Sequence, residues 1–247
     1  MNPIAFQIGP FSVHWYGILV GMAMLTGYLV SRRWCVEWGI DGDKYDWLAL
    51  VFLPTIIIGA RTAYVISSWP YYRENPWEII RIDHGGLGSH GAIIAMFIIG
   101  AISAKIARVP FWTVADSFGP VIPLAHIFVR AGNFVNGELW GLPTDLPWKM
   151  QFPSSGGFVH PSMLYEGIVS IPLFFLAWWW AKNRTREGHV LLRALLAQSV
   201  LRILVDYTRW RGDGIVFGMM LTQVVALVVA LFCLVLLLVP RLPGQKN

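Results

Sequence analysis

Charged residues are scarce in this sequence. Asp, Glu, Lys and Arg make up 13% of the 247 residues, whereas hydrophobic residues make up 56% and tryptophan occurs thirteen times. The mean hydropathy is +0.57. An ordinary soluble domain, in which roughly a quarter of the residues are charged, is therefore excluded. The composition predicts an integral membrane protein.

Cysteine is equally scarce, because the chain has only Cys35, in a predicted cytoplasmic loop, and Cys233, deep in the last apolar run. This number and placement argue against a disulfide or a CxxC metal site. His84 and His90 are six residues apart, which is poor spacing for two ligands on one helix, and no acidic or cysteine cluster completes a metal site. We therefore expect no metal and no cofactor.

Long apolar stretches are abundant. A search for segments near the roughly 20 residues that a membrane-spanning helix needs gives seven: 16–31, 47–67, 90–107, 111–130, 161–181, 190–207 and 215–239. The fourth is interrupted by Pro120 and Pro123. The sequence thus predicts an all-α integral membrane protein with about seven transmembrane helices. We expect one polytopic domain over residues 1–247, with an outward-facing loop region at about 131–160.

The net charge of +5 comes from basic residues spread over short loops, which indicates membrane orientation and not nucleic-acid binding. One side of the membrane receives ten of them: Arg32, Arg33, Lys44, Lys105, Arg108, Lys182, Arg184, Arg186, Arg241 and Lys246. The other side receives five: Arg73, Arg81, Lys149, Arg209 and Arg211. By the positive-inside rule, we expect the N-terminus outside and the C-terminus in the cytoplasm.

This orientation places the unusual polar residues of the apolar segments toward the outer side. They are Tyr16, Arg61, Tyr64, His90, Arg130, His160, Glu166 and Arg202. An arginine at the centre of a membrane helix costs about 2.5–3.5 kcal/mol on insertion scales, so such arginines are functional candidates. Arg193 is an exception, because it lies near the inner interface and is expected to snorkel there. One polar site in the outer leaflet would gather the others.

Each candidate also has a structural interpretation. Gln198, Arg202, Asp206 and Arg209 share one helical face, so Arg202 could be merely an ion-pair partner of Asp206. The asparagines and the glutamate of segment 133–138 could simply cap helix four and order the following loop. The glycine-rich run 84–92 could bind an anion at the start of helix three, or could be only a tight turn.

Five motifs, in order along the chain, resemble those of a known family. They are HWYG at 14–17, GGLGSHG at 85–91, RAGNFVNGELWG at 130–141, HPSMLYE at 160–166 and RILVDYTR at 202–209. The third is highly specific and is similar to the signature of prolipoprotein diacylglyceryl transferases, enzymes of the bacterial inner membrane. Two positions depart from the family pattern: Val129 replaces a usual glycine, and Gln198 replaces a common tyrosine.

The resemblance implies a multi-pass protein of the inner membrane with seven helices and an outer N-terminus. It also implies transfer of the diacylglyceryl group of phosphatidylglycerol to the lipobox cysteine of a prolipoprotein, with release of glycerol phosphate. Phosphatidylglycerol, lipobox peptides and membrane lipids are the expected partners. On this basis the predicted catalytic residues are His90, Arg130, Arg202 and Tyr16. The predicted lipid-binding residues are Arg130, Asn133, Asn136, Glu138, Gly141 and Arg61.

The chemistry of this reaction agrees with the residue types. Sulfur attacks carbon as a thiolate, and because a free thiol has a pKa near 8.5, a histidine such as His90, with an ordinary pKa near 6.5, is a plausible base. Arg130 and Arg202 can grip a phosphodiester through paired N–H donors while charge develops on the leaving phosphate. The substrate brings the nucleophile, so no cysteine of the enzyme is required.

Two other classes of function remain open at this level. A transporter or channel could use the same arginines as an anion site, although transporters often have broken helices at corresponding positions of two repeats, and here breaks occur only around helix four. A non-catalytic lipid-binding protein would need no reacting group.

Overall fold

The computed structural model describes residues 3–9, 11–81, 89–209, 215–216 and 218–239. The α-helices of this part of the chain are α1 (Trp15–Glu37), α2 (Gly42–Ser67), α3 (Trp69–Glu74), α4 (Ser89–Ala107), α5 (Phe111–Ser117), α6 (Val121–Asn136), α7 (Ser162–Lys182), α8 (His189–Asp206) and α9 (Leu221–Leu238). A 3₁₀ turn occupies Pro76–Ile80. Three antiparallel hairpins join β1 (Ile4–Ile8) to β2 (Phe11–His14), β3 (Met150–Gln151) to β4 (Phe158–Val159), and β5 (Ile215–Val216) to β6 (Met219–Met220).

The chain divides into two compact units. The first comprises Met1–Trp34 and Ala115–Asn247, and the second comprises Cys35–Val114. In the second unit α2 packs against α4 and α3. Asp41 caps the start of α2, because its carboxylate accepts hydrogen bonds from the backbone N–H groups of Asp43 (3.0 Å) and Lys44 (3.1 Å).

In the first unit α6, α7, α8 and α9 pack in succession, and α6 also contacts α8. Asp116, which is fully buried, fixes the start of α8. Its carboxylate accepts from the backbone N–H groups of Gly188 (2.7 Å) and Leu191 (2.9 Å) and from Arg184 Nε (2.8 Å). These bonds satisfy N–H groups that the first turn of a helix leaves without partners.

The outer surface of α9 is apolar, as in a helix that faces lipid. Its buried side holds small residues, Ala226, Ala230 and Cys233, whereas its exposed side carries Leu227, Val228, Leu231, Phe232, Val235 and Leu238. An exposed apolar surface of this kind is expected where lipid is the solvent, since soluble monomers rarely expose large apolar patches.

The mostly helical fold agrees with the sequence prediction, and each predicted segment contains a helix. Four helical stretches among the described residues are long and apolar enough to cross a membrane: Gly42–Ser67, Phe111–Asn136, Ser162–Lys182 and Leu221–Leu238. A count of seven crossings, the orientation of the termini and the single polytopic domain stay predictions.

Predicted boundaries were wrong in four of the seven segments. α1 continues to Glu37, so Cys35 lies in this helix and not in a loop, and α2 begins at Gly42 and not at 47. The helix predicted for 215–239 begins only at Leu221, because Ile215 and Val216 belong to a hairpin whose turn includes Gly218 at a φ of +76°. The fourth segment breaks into α5 and α6 at Phe118–Pro120 and then continues past Arg130 to Asn136. Gly137, at a φ of 71°, ends it with a left-handed C-cap.

Candidate active site

Because α6 continues to Asn136, Arg130 and Asn133 of the 130–141 motif lie on one face of the helix. Arg130 Nη1 donates to Asn133 Oδ1 at 2.9 Å, one turn further along. The side-chain amides of Asn133 and Asn136 each donate to the Glu138 carboxylate at 3.2 Å. Asn133 therefore links the buried guanidinium to Glu138, which lies just beyond the helix end.

Glu166, on the second turn of α7, is the centre of an ion cluster. Its side chain is fully buried and contacts three guanidinium groups. Arg130 Nε pairs with Oε2, Arg202 Nη1 donates to Oε1 at 3.0 Å, and Arg209 Nη2 lies 3.1 Å from Oε2. One carboxylate thus joins the end of α6 to the end of α8.

Asp206, at the last turn of α8, is the second buried carboxylate. Arg202 Nε donates to its Oδ2 at 3.0 Å, and Arg209 Nε lies 3.2 Å from its Oδ1. Thr222 Oγ1, from the first turn of α9, donates to Oδ2 at 2.8 Å. The ion cluster, which we define as Arg130, Glu166, Arg202, Asp206 and Arg209, therefore connects α6, α7 and α8, and Thr222 ties it to α9.

The ion cluster carries one surplus positive charge, since three guanidinium groups face two carboxylates. Burial lowers the pKa of the Arg209 guanidinium to about 10, with Glu166 opposing this effect and Arg202 and Arg130 adding to it. A pKa of about 10 still leaves Arg209 protonated at neutral pH. Removing charges from water is costly, so a buried cluster with a surplus positive charge favours the binding of an anion.

Tyr16 packs directly against the helix that carries Arg130. A Cβ atom at Gly132 would lie 2.7 Å from Tyr16 Cδ2, so only glycine lets the tyrosine ring approach α6 this closely. The first residues of α1 are thereby brought beside the turn of α6 that holds Arg130 and Asn133. The predicted grouping of Tyr16 with these residues is therefore present in the first unit.

Gly141 lies where three segments of the first unit meet. Its N–H donates to the His160 carbonyl at 2.7 Å, and the neighbouring Leu142 N–H donates to the Thr208 carbonyl at 2.8 Å. A Cβ atom at Gly141 would collide with the Thr208 carbonyl oxygen and Ser162 Oγ, and would lie 2.9 Å from His160 Cβ. Gly141 thus positions the segment after α6 against the start of α7 and the end of α8.

The remaining predicted site residues belong to the second unit. Arg61 is buried and donates from Nε to the Ile79 carbonyl at 2.9 Å and from Nη2 to the carbonyls of Glu78 and Arg81, the latter at 3.0 Å. Its guanidinium also stacks on the Tyr72 ring, with 5.2 Å to the ring centroid. These contacts give Arg61 a structural role at the end of the 3₁₀ turn, and its binding of phosphatidylglycerol stays a prediction.

His90 belongs to the first turn of α4. Its side chain, like the glycine-rich segment 82–88 before it, lies outside the described residues. Its role as a base stays a prediction. Among the described residues no group of three His, Cys, Asp or Glu side chains could hold a metal ion.

Comparison with known proteins covers almost the whole chain. The family model described as "Prolipoprotein diacylglyceryl transferase" matches residues 3–239. The chain belongs to this family. A Bordetella parapertussis protein named phosphatidylglycerol–prolipoprotein diacylglyceryl transferase is 39% identical over 218 residues, which cover 85% of this chain and 82% of the relative.

Two proteins of more distant bacteria have the same name. The protein of Bacillus velezensis is 32% identical over 259 residues, covering 100% of this chain and 95% of the relative. The protein of Symbiobacterium thermophilum is 34% identical over 248 residues, covering 96% of this chain and 92% of the relative. The range matched by the prolipoprotein diacylglyceryl transferase family model includes all five motifs and every residue of the ion cluster.

The sequence analysis of this family member grouped Glu166 with the polar residues of one outer site but gave it no catalytic or lipid-binding role, and it did not place Arg209 in the site. The spacing of Arg202, Asp206 and Arg209 along one helix does indicate their ion pairs, which the structure has. Arg202 is nevertheless more than a local partner of Asp206, because it also donates to Glu166 on α7. No spacing rule could have found that contact, since it joins residues far apart in the sequence.

Proposed function

We propose that this protein transfers the diacylglyceryl group of phosphatidylglycerol to the lipobox cysteine of a prolipoprotein. Membership of the prolipoprotein diacylglyceryl transferase family and the shared name of the relatives support this activity. The observation that carries the proposal for the site is the surplus positive charge of the ion cluster. A phosphodiester has one negative charge, which would balance it.

Two guanidinium nitrogens are suitable phosphate donors. Arg130 uses Nε for Glu166 and Nη1 for Asn133, and Arg202 uses Nη1 for Glu166 and Nε for Asp206. Within the described residues, these contacts leave Nη2 of both arginines for a ligand. Two arginines held by a common carboxylate are preorganised, so little reorganisation is needed when an anion arrives.

The proposed reaction is a displacement at carbon. The substrate thiolate attacks the CH₂ of the diacylglyceryl group that is bonded to a phosphate oxygen. The bond between this carbon and that oxygen breaks, and its electron pair goes to the phosphate. The products are a diacylglyceryl thioether and glycerol phosphate, whose added negative charge the guanidinium groups stabilise. The thiol proton goes to a base, for which His90 is the candidate. Tyr16 packs on Gly132 beside Arg130, and we propose that its ring forms one wall of the pocket for the reacting end of the lipid.

We further propose that seven helices cross the bacterial inner membrane and that the ion cluster lies toward the outer side. The distribution of basic residues among the loops supports this orientation. Reporter fusions test it: a tag after Gln245 should be inaccessible from outside intact cells, and labelling of that tag would overturn the orientation.

The test of activity uses the purified protein in detergent with phosphatidylglycerol and a synthetic lipobox peptide. We expect mass spectrometry to detect the peptide with a diacylglyceryl group on its cysteine sulfur, and no product with a peptide in which serine replaces that cysteine. Binding of phosphatidylglycerol without any product would instead support a lipid-binding protein. Passage of anions across proteoliposomes without product would support a transporter.

A further inference from the structure

A second polar layer lies one helical turn from the arginines of the ion cluster. His126 precedes Arg130 by four residues on α6, and Gln198 precedes Arg202 by four residues on α8. Residues four apart lie on the same face of a helix and are separated by about 6 Å along its axis. Both layers therefore face the space between α6 and α8, with the His126–Gln198 pair one turn nearer the start of both helices.

A hydrogen bond across the helices defines this layer. Gln198 Nε2 lies 3.2 Å from His126 Nδ1, while Glu166 bridges Arg130 and Arg202 one turn above. The pair is incompletely satisfied, because Gln198 Oε1 is buried and has no hydrogen-bond partner among the described residues.

Both assignments of the Gln198 amide leave the pair with a spare donor. In the orientation given, the amide N–H points to His126 Nδ1, so the imidazole proton is on Nε2 and is available. In the reversed orientation, His126 Nδ1–H donates to the amide oxygen and the Gln198 NH₂ group is available. In each case an N–H group of the His126–Gln198 pair can donate to a ligand.

Packing alone does not explain two polar side chains at this depth. A hydrogen bond between membrane helices stabilises their contact only weakly, and an unsatisfied polar group in an apolar region costs more free energy than such a bond contributes. Two apolar side chains of similar size would join α6 to α8 without an unpaired oxygen. With the amide reversed, the NH₂ group of Gln198 occupies the position that has no partner, and the pair is then suited to a ligand with its own hydrogen-bond acceptor.

The ligand's geometry identifies that acceptor, on the basis of the proposed function. In the proposed orientation the starts of α6 and α8 lie toward the middle of the membrane. When Arg130 and Arg202 bind the phosphate of a glycerophospholipid, its acyl chains therefore run toward His126 and Gln198. The nearer ester carbonyl is separated from phosphorus by a short run of bonds that spans roughly 6 Å at ordinary bond lengths. This distance matches one helical turn, so the ester reaches the level of His126 and Gln198.

We propose that the His126–Gln198 pair donates a hydrogen bond to an ester carbonyl of the lipid substrate and makes the enzyme specific for ester-linked lipids. A lipid with ether-linked chains has the same phosphate, glycerol and chain lengths but lacks the carbonyl oxygen. Such a lipid leaves the donor of the pair unsatisfied, and sites built to hydrogen-bond a substrate group discriminate against analogues that lack it.

The experiment is a competition between two lipids in one sample. Purified protein receives a lipobox peptide and an equimolar mixture of diacyl and dialkyl phosphatidylglycerol with matched chains, and mass spectrometry measures both thioether products. We expect the wild-type protein to favour the diacyl lipid about tenfold. Gln198→Leu and His126→Leu should bring the ratio close to one, mainly by slowing transfer from the diacyl lipid. The ratio is independent of how much protein is folded, because both products come from the same sample.

Two further variants complete the design. Ser199→Ala removes the next polar side chain on α8, about 100° around the helix, and should keep the wild-type ratio. Gln198→Asn withdraws the amide by one methylene and should give an intermediate ratio even if the leucine variants make too little product to measure. Equal use of the two lipids by the wild type, or an unchanged ratio in Gln198→Asn or the leucine variants, would overturn the proposal. Absence of both products from the wild type would instead contradict the transferase activity itself.

Discussion

Asp116 and Glu166 are both buried in the first unit, and they differ in how their charge is balanced. Asp116 is satisfied by one arginine and by backbone N–H groups of Gly188 and Leu191. Glu166 has no such backbone partners among the described residues and is shared by three arginines. Both carboxylates are fully buried, so burial does not distinguish a structural centre from a functional one. The surplus charge and the spare guanidinium donors are the basis on which we propose a functional role for the cluster around Glu166.

The strongest test of this comparison is Arg130→Lys. Lysine keeps the positive charge but loses the planar fork that can hold two phosphate oxygens together. We expect a normally folded protein whose transfer rate falls on the order of 100-fold or more, the scale seen when one preorganised transition-state donor is removed. The rate is measured at equal amounts of detergent-stable protein.

Arg193→Lys is the matched control for Arg130→Lys, because Arg193 is predicted to snorkel at the inner interface. Arg193→Lys should leave the transfer rate nearly unchanged. Near wild-type transfer by Arg130→Lys would remove the paired phosphate contact from the mechanism, and a large loss from Arg193→Lys would show that the wrong arginine was assigned to the site.

A smaller effect on rate, combined with a loss of stability, is expected from Glu166→Gln. The neutral amide cannot balance three guanidinium groups, so the net charge of the ion cluster rises from +1 to +2 and the arginines separate. Removing one partner of a buried ion pair lowers the free energy of unfolding by about 3–5 kcal/mol. We expect a lower Tm in detergent and a transfer rate reduced roughly tenfold. Wild-type values of both would mean that Glu166 does not position the arginines.

Asp116→Asn should separate stability from activity at the other acidic centre. The amide keeps one acceptor oxygen but loses the charge that pairs with Arg184, at a cost of about 1–3 kcal/mol. Thermal unfolding should show a lower Tm, whereas the transfer rate per folded protein should stay within about twofold of wild type. A loss of rate comparable to that of Arg130→Lys would contradict the division into structural and functional centres.

The smallest effect is expected from Cys35→Ser combined with Cys233→Ser. Both cysteines are buried, and the proposed reaction takes its sulfur from the substrate, so transfer should remain at the wild-type level. The same peptide assay measures it. Loss of transfer by a folded double variant would indicate a covalent intermediate on the enzyme.

Local patterns predicted the helices well and the site only in part. Apolar length located a helix in each predicted segment. The i,i+4 spacing indicated the pair of Arg202 with Asp206, and the shared face placed Arg209 near them. The extension of α6 beyond Arg130 was missed, because a polar sequence was read as a loop although its side chains satisfy one another.

The contacts that complete the site depend on the three-dimensional fold. Glu166 and Arg202 meet only when α7 packs on α8. The need for glycine at 141 comes from the Thr208 carbonyl and Ser162, which approach it from other segments. The sequence motif identified Gly141 as important. The physical reason for a glycine there is steric contact with distant segments, which no local sequence pattern predicts.

The order in which the ion cluster is synthesised has a consequence for membrane insertion. Arg130 leaves the ribosome before Glu166, which precedes Arg202, Asp206 and Arg209, and Thr222 comes last. At about 5–20 residues per second, several seconds pass between the first contributor and the last. Until Glu166 has been synthesised, the Arg130 guanidinium lacks its carboxylate partner, so it must remain hydrated at the membrane surface or within the insertion machinery. Assembly of the ion cluster is therefore a late event that requires α8 and Arg209, and a chain truncated before α8 carries an unfinished charge cluster into the bilayer.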